Sequence, residues 1–215
     1  MKQLAIFDLD GTLLNTIADL GTATNAALEA RGFNPHPIDA YPQMVGNGVR
    51  RLVQRALPAE SRDDATVDSV LVEFRAYYDA HLDVFTTPYP GMEDLLAELR
   101  RRDVALAVAS NKYESAVNRL ISRFFRGISF VSICGQIEGV PVKPDPSVVF
   151  RILSDRPTPK SDVIYIGDSA VDMETARRAG IESVGVSWGF RSVSELTGAY
   201  ADHIINKPED LLNLL

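Results

Sequence analysis

The sequence predicts an α/β protein, built on a parallel sheet with helices on both faces and interrupted by an all-helical insertion. Three observations predict it. The apolar run Leu4-Ala5-Ile6-Phe7 opens the chain and stops at charged residues, as a buried strand does. From about residue 92 onward, short continuous apolar runs alternate with stretches of helical periodicity, the texture of a parallel sheet covered on both faces. Between residues 15 and 85 the apolar spacing is helical only. The expected core, 1–14 with 86–215, is therefore Rossmann-like, and 15–85 is inserted into it.

In chain order, the strand over 4–7 runs into Asp8 and Asp10, then the breaker Gly11 and the small hydroxyl of Thr12. A helix over 16–31 carries Ile17, Leu20, Ala23, Ala27 and Leu28 at helical spacing, and Gly32 closes it. Pro35 and Pro37 mark a loop. A helix over 48–57 stops at Pro58, and a third over 64–83 places Val67, Val70, Leu71, Phe74 and Tyr78 on one side. The Pro- and Gly-containing stretch 86–91 is a hinge. Helices over 92–101, 114–124, 147–154 and 170–179 then alternate with strands over 104–109, 128–133, 163–166 and 183–186. A weak strand over 203–205 and a final helix over 208–215 end the reading.

Composition limits the function classes. Lys and Arg total 22 against 29 Asp and Glu, a net charge of −7, which argues against nucleic acid or an anionic membrane as the main partner. The single cysteine, Cys134, has no intrachain disulfide partner and sits among apolar residues, as a buried thiol in a reducing compartment does. Lys2 leads into only a few apolar residues, unlike a signal peptide, and no run approaches the ~20 apolar residues of a membrane span. The expected setting is the cytoplasm.

In open α/β folds the site lies at the carboxyl ends of the strands. Four such ends carry polar signals: Asp8 and Asp10; Ser110-Asn111-Lys112; Lys143 within Val142-Lys143-Pro144-Asp145-Pro146; and Gly167-Asp168-Ser169, with Asp172 one helical turn on. Each has an ordinary reading taken alone. Ser110 can brace a loop, Lys143 can be solvated, Asp168 can cap a helix and Asp172 can answer its dipole. Together they form a set of carboxylates, a hydroxyl, a lysine and loop-to-helix junctions, which suits a hard cation and a phosphate.

These four segments, in this order, resemble the four motifs of the haloacid dehalogenase-like hydrolase superfamily, in its phosphatase branch. Val45-Gly46-Asn47-Gly48, Ala109-Ser110-Asn111-Lys112 and Lys143-Pro144-Asp145-Pro146 resemble the phosphoglycolate phosphatase-like members, and the helical insertion resembles the superfamily's cap domain. The resemblance implies that Asp8 is a nucleophile forming an aspartyl-phosphate and Asp10 the general acid/base. It implies Mg²⁺ bound by Asp8, Asp168 and the Asp10 backbone carbonyl, with Asp172 outside the ligand set, orienting metal waters or Lys143. Ser110 and the Asn111 backbone N–H, with Gly11 and Thr12, would hold phosphoryl oxygens, while Lys143 offsets their charge. An acid at Asp10 points to phosphate esters rather than haloacids. With no lysine between Lys2 and Lys112, the phosphonatase Schiff base has no residue to form on.

For substrate contact the expected cap residues are Gly46, Asn47, Gly48 and Arg50, whose guanidinium suits a carboxylate; Arg51 is expected in solvent. Lys112 is either a surface residue or a contact for the substrate's far end. Tyr41, Tyr77, Tyr78 and His81 are expected to pack, as are Trp188 and Phe190, although the segment 188–191 could line the entrance. The expected partner is a small phosphorylated metabolite such as 2-phosphoglycolate. Pyrophosphate, nucleotides, sugar phosphates (including a phosphomutase reaction) and an inactive phosphate-binding regulator remain open alternatives, as does monomer against homodimer.

Overall fold

The computed structural model describes residues 2–215. The chain forms β1 (Leu4–Phe7), β2 (Leu14–Asn15), α1 (Ile17–Ala30), α2 (Val49–Ala56), α3 (Asp64–His81), β3 (Thr87–Pro88), α4 (Met92–Arg101), β4 (Ala105–Tyr113) and α5 (Glu114–Phe124). It continues through β5 (Ser132–Gln136), α6 (Ser147–Asp155), β6 (Val163–Gly167), α7 (Ala170–Ala179), β7 (Glu182–Val186), α8 (Val193–Gly198) and β8 (His203–Ile205). Six strands make one parallel sheet in the order β5-β4-β1-β6-β7-β8. The amino-terminal strand is thus central, flanked by β4 and β6.

Strand alternation divides the core into two layers. Leu4 and Ile6, Ala107 and Ala109, and Val163 and Tyr165 face α6 and α7, meeting Val149, Ile152, Ala176 and Ala179. Ala5 and Phe7, Leu106 and Val108, and Ile164 and Ile166 face the opposite layer with Leu95, Leu96, Leu99, Val117 and Leu120 of α4 and α5. Burial on both faces explains why these strands read as continuous apolar runs.

The three helices between β1 and α4 pack on one another, α3 against both α1 and α2. Asp63 caps α3 by accepting from the Thr66 N–H at 3.0 Å. The chain passes between these helices and the sheet twice. At the crossing, β2 and β3 pair antiparallel, Leu14 with Pro88 and Asn15 with Thr87. Buried Asp19 reinforces it, its carboxylate accepting from the Phe85 N–H at 3.0 Å and from the Thr86 N–H and hydroxyl at 2.8 and 2.7 Å.

Four local expectations are corrected. β4 does not stop at residue 109; it continues through an irregular register to Tyr113, which pairs with Gln136. β5 lies at 132–136 rather than 128–133, because Ile128 closes a turn onto Phe125 O and Phe130 packs on the core from a loop. The final segment is a 3-10 helix, Pro208–Asn213, that buries Leu211 in the α4 layer. α8 follows the 188–191 segment with Ser192 as its cap and was not anticipated, since only Leu196 of its residues is buried. Among the described residues no helix is long and apolar enough to cross a membrane.

Candidate active site

Asp8 stands where β1 ends, in the middle of the sheet; its own N–H still bonds to Ile166 O at 2.8 Å. Beyond it the chain turns at Gly11, whose φ of +88° suits glycine alone. That turn is also crowded. A Cβ on Gly11 would lie 2.2 Å from Asp168 Oδ2, and one on Gly189 would lie 2.2 Å from Asp168 Cβ and 2.6 Å from Gly11 O. Two glycines therefore let three strand ends converge on Asp168. Its Oδ2 accepts the Phe190 N–H at 2.7 Å.

Lys143 reaches this cluster from the loop before α6. Its ammonium is saturated: 2.8 Å from Asp8 Oδ1, 2.7 Å from Asp172 Oδ1 and 2.9 Å from Ala109 O. Burial works against its charge, but Asp172 and Asp8 outweigh it and hold its pKa well above the usual lysine value. Asp172 is doubly engaged. Its other oxygen accepts from Ser169 Oγ at 2.6 Å and Ser169 N at 3.2 Å, one half of the capping box that starts α7. Of the two contacts expected of Asp172, the one with Lys143 is present, and the ordinary reading of Asp168 as the cap of this helix gives way to Ser169.

Asp8, Asp168 and Asp172 each offer an oxygen, all within 4.8 Å of one another. Burial pushes the Asp8 carboxyl up to about 7; Lys143 opposes this, while Asp172 and Asp10 add to it. Burial, then the charges of Asp172 and Asp8, also hold Asp168 well above the ordinary carboxylate range. Three buried carboxylates served by one ammonium are short of positive charge, and a hard, all-oxygen donor set suits a divalent cation. The cluster could hold one: both oxygens of Asp172 are engaged by Lys143 and Ser169, whereas Asp8 and Asp168 each keep one oxygen without a partner among the described residues.

Asp10 lies on the other side of the strand end. Thr16 Oγ1 donates to its Oδ1 at 2.6 Å, and the Lys112 ammonium stands 3.0 Å from its Oδ2. Of the two readings of Lys112, the surface one is corrected: its side chain is 4 % exposed, it lines the cavity described below, and its ammonium sits 4.8 Å from the centre of the Tyr78 ring. Burial disfavours its charge, but Asp10, then Tyr78, raise its pKa above the usual lysine value. The signal in the sequence was the spacing Ser110-x-Lys112 on a strand end, which sends both residues toward one cavity.

That cavity, of about 40 Å³, is lined at its floor by Asp8, Asp10, Ser110 and Lys143 and roofed by Val45, Gly46, Gly48, Val49 and Leu52. Ser110 Oγ accepts the Lys112 N–H at 3.2 Å and keeps its own proton to offer. The Asn111 side chain is a brace: Oδ1 accepts Lys143 N at 2.8 Å, and Nδ2 reaches Lys143 O at 3.1 Å and Gly46 O at 3.0 Å. Thr12 Oγ1 is buried with no partner among the described residues, and Trp188 Nε1 holds the Thr12 carbonyl at 3.1 Å.

Two expected substrate contacts are not brought to the cavity. Arg50 turns outward on α2 and pairs with Asp64, at 2.6 Å, and Asp68. Asn47 faces away and accepts from Arg55 at 2.7 Å. Gly46 and Gly48, at φ +112° and +81°, do line it. The segment 188–191, read as a candidate lining of the entrance, supplies a contact that sequence reasoning missed, that of Arg191. Arg191 crosses from the loop after β7 to donate to Pro42 O and, at 2.8 Å, to Val45 O, so the roof is clasped from the sheet side. Nothing in a single arginine after Trp-Gly-Phe announces such a long-range contact. Tyr41, Tyr78 and Trp188 pack as expected, and Tyr77 stacks on His81 with centroids 4.3 Å apart.

A family model described as haloacid dehalogenase-like hydrolase matches residues 5–186. The chain is 35% identical over 194 residues to a phosphoglycolate phosphatase of Pseudomonas fluorescens, covering 88% of this chain and 71% of that one. It is 34% identical over 200 residues to a phosphoglycolate phosphatase of Neisseria meningitidis, covering 91% and 84%. A crystal structure from Lactobacillus delbrueckii, provisionally named a phosphoglycolate phosphatase, superposes with a TM-score of 0.92 at 35% identity, covering 100% of this chain and 98% of that one. The sheet order, the convergence of Asp8, Lys143, Asp168 and Asp172, and these matches agree: the chain belongs to the haloacid dehalogenase-like hydrolase family, on its phosphatase side.

Proposed function

We propose that the protein is a Mg²⁺-dependent phosphomonoester hydrolase that works through an aspartyl-phosphate on Asp8, with 2-phosphoglycolate or a similarly small phosphorylated acid as substrate. The observation that carries this reading is Asp8 itself: a carboxylate at the end of the central strand, 2.8 Å from a saturated ammonium and lining a small cavity that Asp10 also lines. A carboxylate needs no deprotonation to attack phosphorus, and covalent catalysis divides one hard displacement into two easier ones. Asp10 gives the leaving alcohol its proton and later takes one from water. Lys143 offsets charge building on Asp8 and the phosphoryl group, and Ser110 and Thr12 Oγ1, each with a proton to offer, hold phosphoryl oxygens. Mg²⁺, held by Asp8, Asp168 and the Asp10 carbonyl, would supply charge neutralisation to the phosphoryl oxygens.

The names of the Pseudomonas and Neisseria relatives support the substrate reading. A reducing, cytoplasmic setting fits the one buried thiol, Cys134. The test is phosphate release with Mg²⁺ from 2-phosphoglycolate, pyrophosphate, hexose phosphates and nucleotides. A wide lead for phosphoglycolate is the expected result; broad turnover would remove the substrate reading and leave the chemistry, and no turnover of any ester would remove both.

A further inference from the structure

The site holds two buried lysines, and they differ in a way that the chemistry of Asp8 does not require. Lys143 Nζ has three oxygen partners, enough for its three N–H groups. Lys112 Nζ has one carboxylate among the described residues, Asp10 Oδ2 at 3.0 Å, with the face of Tyr78 and its buried hydroxyl beside it, which leaves at least one N–H unpartnered. A buried ammonium with donors to spare is costly unless something takes them. Asp10 does not need it for orientation, since Thr16 already holds the other oxygen at 2.6 Å. Around it the cavity walls are apolar, with Leu20, Val45, Val49 and Leu52, so Lys112 is the cation on the leaving-group side, as Lys143 is on the phosphoryl side.

We propose that Lys112 is a specificity residue for phosphate esters whose ester-bearing carbon also carries a carboxylate. It takes that carboxylate and, in doing so, yields Asp10 Oδ2 to the leaving oxygen. This rests on the phosphatase reading and narrows it. The distances suit it. In such an ester the carboxylate oxygens lie roughly 3 Å from the ester oxygen, one carbon away. An ammonium 3.0 Å from the acid that meets the ester oxygen is therefore within hydrogen-bond reach of that carboxylate. A carboxylate one carbon farther along is displaced from that position by a further carbon–carbon bond of about 1.5 Å, and the lining there offers it the apolar side chains of Val45, Val49 and Leu52. A neutral leaving group leaves the ammonium on Asp10, where it competes with the ester oxygen.

The experiment compares wild type, Lys112→Met and Lys112→Arg on 2-phosphoglycolate, on ethyl phosphate as a neutral counterpart of equal length, and on 3-phosphopropionate as the longer acid. The readouts are kcat/KM ratios, which a general loss of folding or of Asp10 function does not move, and inhibition by glycolate and by inorganic phosphate. In wild type, 2-phosphoglycolate is expected to lead both others. In Lys112→Met its lead over ethyl phosphate falls by about 10- to 100-fold, the range of a charge-assisted contact. Glycolate inhibition weakens with it while phosphate inhibition does not, and Lys112→Arg recovers part of the ratio. If Lys112→Met slows both esters by one factor, or wild type shows no preference for the short acid, the proposal fails while the phosphatase reading stands. If wild type releases phosphate from none of them or from an aryl phosphate, that reading fails and the proposal with it.

Discussion

Lys143→Met removes the ammonium that serves Asp8 and Asp172 while keeping the length of the side chain. The structure sets the size of the effect. The ammonium is 2 % exposed and lies within 2.8 Å of both carboxylates, so its loss leaves buried negative charge uncompensated. Breaking a buried pair in this way costs about 3–5 kcal/mol. The cost depends on pH, with a definite sign. Burial already pushes Asp8 up to about 7 with Lys143 opposing, and without Lys143 the carboxyl rises further. A carboxyl whose folded pKa exceeds its unfolded value of about 3.9 binds more protons when folded, so stability falls as pH climbs from the lower value to the higher. The penalty of Lys143→Met is therefore largest near pH 8 and shrinks toward about pH 5, where Asp8 takes a proton in place of the cation. Urea unfolding of both proteins in EDTA at the two pH values measures it. A loss below about 1 kcal/mol at pH 8, or a larger loss at pH 5, would refute the reasoning.

Three further outcomes follow from the same geometry. Divalent cation is expected to raise the melting temperature of the wild type more at pH 8 than at pH 5, because protons compete for Asp8 and Asp168, whose carboxyls burial pushes upward; equal shifts at both values would place the cation elsewhere. Gly189→Ala puts a Cβ 2.2 Å from Asp168 Cβ and against the Gly11 carbonyl, and is expected to cost about 1–3 kcal/mol and most of the phosphatase rate; a fully active variant in a phosphate-release assay would contradict it. Arg191→Met removes the clasp on Pro42 O and Val45 O. It is expected to raise KM more than it lowers kcat and to speed proteolysis in 82–91, and unchanged KM and proteolysis would show that the clasp does not hold the roof.

What could be read from the sequence was what depends on short-range pattern. The strands that meet on Asp8 and Asp168 are buried on both faces, so their apolar runs stand out and the polar residues at their ends stand out against them. The strand-end rule then brings Asp8, Ser110, Lys143 and Asp168 to one place without any knowledge of distances. What could not be read depends on partners far along the chain. Arg50 had the right chemistry for a carboxylate, yet Asp64 and Asp68, a helix away, hold it outside the cavity. Lys112 has two readings in the sequence, surface residue or substrate contact, because its burial comes from Tyr78, 34 positions earlier, and from a strand that runs four residues past its apolar stretch. Arg191 reaches back to the carbonyl of Val45, one of the residues that roof the cavity. The apolar 128–131 stretch misled in the opposite sense, since Ile128 and Phe130 are covered from a loop rather than a strand.

The central claim is that Asp8 carries the phosphoryl group, and trapping it tests that claim most directly. Wild type and Asp10→Asn, turning over substrate with Mg²⁺, are quenched into hydroxylamine, digested and examined by mass spectrometry, with Asp8→Asn as the control. The account predicts a hydroxamate on Asp8, more abundant in Asp10→Asn because water is then poorly activated, and none in Asp8→Asn, which is also inactive. A hydroxamate on another carboxylate, or an Asp8→Asn protein that keeps full turnover, would contradict it.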